Sequence, residues 1–298
     1  MTDVRLDLRI ARTLFGVVLS FAGSAWGENP VRLPAHMSFI AQESSARWGL
    51  YRIAGDGSPI RVPTQLEPRQ ACIASQAGRA VYAAADGSLR LVALDSSSES
   101  TLAVTDRSRS YTQPCLSADG RDIFAVEMAE GKSIDTEIVR IKAAGEAPTP
   151  LVRQPGAQHE PFLFQGRWLV YANVACAEGC DRLLVEIWLR DLLSGSARQL
   201  TLLNALSQNP VTDAKQVVFS SNASGSFQLW RVNLDGTELR RLTDGVSNAL
   251  QPALCGSTIY FVRSGPGGSG LIRLEADGTQ VPVALPGLGS IRALRCIS

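Results

Sequence analysis

The chain has 298 residues, a net charge of +1 and 45% hydrophobic residues, enough to bury a full-sized core without help from metals or cross-links. So even a balance provides no basic face for nucleic acid and no broadly acidic surface.

The first 27 residues stand apart. Arg5, Arg9 and Arg12 precede an apolar run from Leu14 to Ala25, shorter than the roughly 20 residues a membrane-spanning helix needs. Ala25-Trp26-Gly27 places small residues where a signal peptidase reads them. Residues 1–27 are therefore expected to be a signal peptide, with a mature protein that starts at Glu28, is periplasmic or secreted, and keeps no stable membrane insertion. An uncleaved anchor is the alternative, because Asp3 and Asp7 lengthen the charged region. The apolar run is not followed by a cysteine until Cys72, which argues against a lipid anchor. Export implies an oxidising compartment.

After a linker at 28–35, one strand pattern returns along the chain: Leu50-Tyr51-Arg52-Ile53, Leu89-Arg90-Leu91-Val92, Ile138-Val139-Arg140-Ile141, Ile187-Trp188-Leu189-Arg190, Leu229-Trp230-Arg231-Val232 and Leu271-Ile272-Arg273-Leu274. Successive first residues are 39, 49, 49, 42 and 42 positions apart, a propeller-blade period. A second anchor runs in parallel: Glu67-Pro68, Gln113-Pro114, Glu160-Pro161, Asn209-Pro210 and Gln251-Pro252. Proline is read as the first residue of each blade's inner strand, holding its predecessor extended. Glycine turns such as Gly55-Asp56-Gly57, Asp235-Gly236 and Asp277-Gly278 separate the third and fourth strands. The Gly-rich 264–270 is expected to be a hairpin loop rather than a phosphate cradle.

The spacing predicts an all-β fold, a six-bladed propeller of four-stranded antiparallel blades over residues 36–298. The first unit opens at Ser38-Phe39-Ile40-Ala41, which matches a second strand, and 291–298 resembles the inner strand at 69–75. The C-terminal strand is thus expected to complete the first blade and close the ring.

The stretches SADGRDIFAV at 117–126, EIWLRDLLSGSARQLT at 186–201 and FSSNASGSFQLWRVNLDGTELRRLT at 219–243 resemble the repeats of the TolB-type propeller family, which carry a proline, a Ser-Pro-Asp-Gly turn and a closing Leu-Thr. The resemblance spans 36–298. It does not include the α/β domain that precedes the propeller in the protein naming the family, so it implies the propeller without implying the Tol-Pal role.

Residues for chemistry are sparse. The two histidines, His36 and His159, are too few for the three-histidine metal sites of propeller lyases related to that family, and no HExxH, GxSxG or phosphate-loop motif occurs. Neither a metal nor a cofactor is expected. Of six cysteines, Cys176 and Cys180 flank a short loop and are expected to form a local disulfide. Cys72, Cys115, Cys255 and Cys296 fall on inner strands of four successive blades. Disulfides between blades are conceivable, but packed sheets lie about 10 Å apart and a disulfide needs Cα atoms within about 7 Å, so these four are read as small buried core residues.

The polar residues around each proline are expected at one mouth of the central channel: Gln65 and Glu67, Thr112 and Gln113, His159 and Glu160, Gln208 and Asn209, Gln251, and Ser290. Two uses remain open: bonding between blades, or recognition of a partner. With no Lys or Arg in the set, the mouth is expected to favour neutral or cationic segments. The leading expectation is a non-catalytic, monomeric binder of an envelope protein or peptide. The alternative is a carbohydrate-active hydrolase or lyase using Glu67, His159 and Glu160.

Overall fold

A computed structural model describes residues 32–297, apart from 103–108, 130–135, 177–182 and 267, and the side chains of 175 and 176. The expected signal peptide lies outside the described residues. So does the Cys176–Cys180 loop.

Six four-stranded antiparallel sheets form a ring. From the inside outward, blade 1 is Leu288–Cys296, Met37–Glu43, Trp48–Ile53 and Pro59–Val62. Blade 2 is Pro68–Ala74, Arg79–Ala84, Leu89–Ala93 and Glu99–Thr101. Blade 3 is Arg109–Leu116, Asp122–Ala129, Thr136–Lys142 and Thr149–Val152. Blade 4 is Gln158–Phe164, Trp168–Cys176, Leu184–Asp191 and Ala197–Gln199. Blade 5 is Ser207–Thr212, Gln216–Ser224, Ser226–Asn233 and Arg240–Arg241, and blade 6 is Asn248–Cys255, Thr258–Gly265, Gly268–Leu274 and Gln280–Val283. The six repeated segments are the third strands. Ring closure is as expected: Cys296 pairs with Met37 and Ile291 with Ala41.

Alternation along each strand gives every blade two apolar faces, and each must be covered by a neighbour. The result is one hydrophobic cluster per junction. Ile40, Leu50, Ile73 and Tyr82 join blades 1 and 2, Ile138 and Tyr171 join blades 3 and 4, and Met37, Phe39, Val262 and Leu294 join blades 6 and 1. Stability therefore resides between repeats, as in other stacked architectures. Trp188 and Trp230 pack partly buried at such junctions.

The Leu-Thr that closes blades 4 and 5 has a definite role. The outermost strands there are short, and a threonine extends the pairing beyond them. Thr201 accepts the Ile187 N–H at 2.9 Å and donates to the buried Glu186 carboxylate. Thr243 does the same, accepting from Leu229 at 2.9 Å and donating to Gln228 at 2.8 Å.

Two expectations are corrected. Of these five prolines Pro68 alone begins its strand; Pro114, Pro161, Pro210 and Pro252 lie inside theirs, at register shifts. The residue before each is left-handed, not extended: φ is 50° at Gln113, 55° at Glu160, 54° at Asn209 and 50° at Gln251. These are β-bulges, where a proline removes no ladder bond.

The inner-strand cysteines are also paired, Cys72 with Cys115 and Cys255 with Cys296, at Cα separations of 4.9 and 5.4 Å. The 10 Å spacing holds for stacked sheet faces, but blades fan out from the axis and converge at the hub. There the Leu116 N–H comes within 3.1 Å of Cys72 Sγ.

Candidate functional site

The bulges wire neighbouring blades together around the axis. Gln70 Oε1 accepts the Gln113 N–H at 2.9 Å, Gln113 Oε1 accepts the Glu160 N–H at 2.6 Å, and a Glu160 oxygen accepts the Asn209 N–H. Asn209 Oδ1 then accepts the Gln251 N–H at 3.3 Å, and Gln251 Oε1 accepts the Leu294 N–H at 3.4 Å. The equivalent residue in blade 1 is Ala293, φ 52°, whose methyl group cannot continue the circuit. Left-handed backbone at non-glycine residues costs about 1–3 kcal/mol each and persists where the surroundings impose it; here the interblade bonds do so.

Inside this circuit lies an axial cavity of about 580 Å³, drawn from all six blades: Glu67, Arg69 and Gln70 with Gln113, Glu160, Asn209, Gln251, Arg292 and Arg295 among its lining residues. Arg292 stacks its guanidinium 4.0 Å from the Trp48 ring and donates to the Pro68 carbonyl at 3.0 Å. The Arg295 side chain makes no hydrogen bond or ion pair among the described residues, and its Nε is buried without a partner, as is that of Arg292. Burial pushes the Glu160 carboxyl above the usual range, against the pull of the Asn209 N–H and of Arg295. Burial also lowers the Arg295 pKa, an effect opposed by Glu160.

Five of the ten residues expected at the mouth line the cavity: Glu67, Gln113, Glu160, Asn209 and Gln251. Gln65, Thr112, His159, Gln208 and Ser290 do not. Gln65 is exposed, with its backbone N–H bonded to Glu99 at 2.8 Å. His159 is partly enclosed, and burial holds its pKa below the ordinary value.

Glu67 lines the cavity without belonging to the circuit, because Gln70 occupies that position. The signal was present in the sequence: aligning Cys72 with Cys115 sets Gln70, not Glu67, opposite Gln113. The expectation of a mouth without Lys or Arg fails, since Arg69, Arg292 and Arg295 outnumber Glu67 and Glu160. Two of these arginines come from the closing strand, where no polar-proline pair marks the position.

The chain matches no protein-family model and no curated protein. It is similar to solved structures. The TolB candidate of Agrobacterium tumefaciens superposes with a TM-score of 0.65 at 18% identity, covering 83% of this chain and 88% of that one. TolB of Acinetobacter baumannii gives 0.66 at 14%, covering 87% and 65%. The fold is that of TolB-type propellers. Likeness in fold is not confined to one activity, however: a puromycin-hydrolysing peptidase of Mycobacterium tuberculosis gives 0.60 at 18%, covering 86% of this chain and 47% of its own. The chain thus spans less than two thirds of the second and third structures. At these identities the comparison establishes architecture, and the hub must be interpreted from its own residues. Among the described residues, no group of three or more His, Cys, Asp or Glu lies together as a metal site would require.

Proposed function

We propose that the chain is an exported, non-catalytic propeller that binds a peptide segment of an envelope protein at the mouth of its axial cavity. The observation that carries this reading is the hub itself: a polar cavity lined by all six blades, its walls held by interblade hydrogen bonds. Such walls are preorganised, which lowers the ordering cost of binding. The two cross-blade cystines support export, since such bonds persist in oxidising compartments.

The hydrolase or lyase alternative called on Glu67, His159 and Glu160. His159 lies outside the cavity, and both Glu160 oxygens accept from Asn209. A general acid must be free to reach substrate, so the geometry favours binding.

The test is site-specific photocross-linking in envelope extract. A photoreactive residue replacing Arg69, exposed at the mouth, should capture one partner, whereas the same residue replacing the exposed Arg240 on the outermost strand of blade 5 should not. Capture at position 240 alone would place the binding surface elsewhere.

A further inference from the structure

The circuit leaves the cavity with a bias that composition does not show. Backbone N–H groups of the next blade require oxygen acceptors, so the amide oxygens of Gln70, Gln113 and Gln251 face the junctions. That fixes which way each amide is turned, and each Nε2, a two-proton donor, has no protein partner among the described residues. Asn209 Nδ2 gives one of its two protons to Glu160, at 2.5 Å. The remaining functional groups are the guanidiniums of Arg69, Arg292 and Arg295. The principal free acceptor is Glu67, at the exposed rim.

A partly enclosed cavity lined by three arginines and by amides whose Nε2 groups are free is complementary to an acceptor-only anion. Arginine bonds to carboxylate through short, charge-assisted and often paired contacts. None of the cavity-lining residues is aromatic, so sugar rings find no stacking surface, while peptide carbonyls find amide donors.

We propose that the cavity binds a carboxylate presented by a peptide, with Arg295 as its innermost contact and Arg292 and Arg69 above it. The assignment rests on the proposed function and specifies the chemistry of the bound segment. The carboxylate has two possible sources, an acidic side chain or a free C-terminus.

Four fluorescently labelled probes separate the possibilities by polarisation at low salt: amidated tetraglutamate, tetraglycine with a free C-terminal carboxylate, amidated tetraglutamine, and tetragalacturonate. At least one of the first two should bind, and tetraglutamine should not. Arg295→Met, which keeps the aliphatic stem, should weaken binding by about tenfold or more, the scale of a lost charge-assisted bond. Arg69→Ala, a change at an exposed side chain, provides a second variant that does not depend on tolerance at the hub, and should weaken binding less. Arg240→Ala should leave it unchanged.

Equal binding of tetraglutamine and tetraglutamate would overturn the proposal, as would failure of both carboxylate peptides or tighter binding of tetragalacturonate. If cross-linking from position 69 captures a partner whose bound segment has no carboxylate, the peptide-binding reading stands and this assignment falls.

Discussion

Replacing Cys255 and Cys296 with alanine removes the covalent tie between blade 6 and the strand that closes blade 1. The cystine spans a sequence separation of 41. Chain-entropy arguments give a loop of that length about 4 kcal/mol of stabilisation through restriction of the unfolded chain. In a domain of this size, 1 kcal/mol moves Tm by roughly 2–4 °C, so the double variant should melt about 8–16 °C below the parent in non-reducing buffer. Each single replacement breaks the same bond and should lower Tm by nearly as much as the pair; additive losses would indicate packing defects rather than a lost cross-link. The Cys72–Cys115 bond remains in all these proteins, so the comparison isolates one staple. The assay is thermal unfolding followed by circular dichroism, with non-reducing peptide mapping of the parent. A double variant melting within about 2 °C of the parent would show that the hub does not rely on the cystine.

Other outcomes follow from the same geometry. Burial pushes the Tyr82 and Tyr171 hydroxyls up to about 12, whereas unfolded tyrosines ionise near pH 10. Above pH 10 the unfolded chain releases protons the native state retains, so stability should decline from there toward pH 12, and absorbance titration should find at least two phenols that resist ionisation until about pH 12. Thr201→Val leaves a buried Ile187 N–H without its acceptor and takes a donor from Glu186; urea denaturation should register a loss of about 1–3 kcal/mol, and Thr243→Val should lose a comparable amount. Protein recovered after export should begin at Glu28 by intact mass, and non-reducing mapping should link Cys176 to Cys180; full-length protein in the membrane fraction would rule out the cleavage, and free thiols at both positions would rule out that pairing.

The blades could be read in advance because each rests on local pattern: alternation, a glycine turn, a period of about four dozen residues. Closure was legible too, since the unit at Ser38 lacks its inner strand and 291–298 supplies one. What escaped depended on distances that no period reports. The cystines require the convergence of strands at the hub, whereas Cys72 and Cys115 in sequence suggest only two equivalent core positions. Glu67 was aligned by its proline although Gln70 is the residue that bonds to blade 3, because Ala71 stands where blades 3 to 6 have proline. Arg292 and Arg295 escaped for a related reason: Ala293 marks a bulge through its backbone and through no recognisable side chain.

The pairing of Met37 with Cys296 has a consequence for how the molecule is made. Blades 2 to 6 assemble from neighbouring hairpins, but residues 37–62 must wait, as a three-stranded sheet with a bare inner edge, until the strand ending at Cys296 has been synthesised. Such an edge is a template for wrong partners, and contacts of long sequence separation form late. A chain arrested before Leu288 would hold five blades of correct local structure beside an adhesive flank. Joining Cys255 to Cys296, with an oxidant of the compartment taking up the two electrons and two protons, is then a chemical record that the last strand has arrived, and the fraction of protein carrying that bond measures how many chains finished their ring.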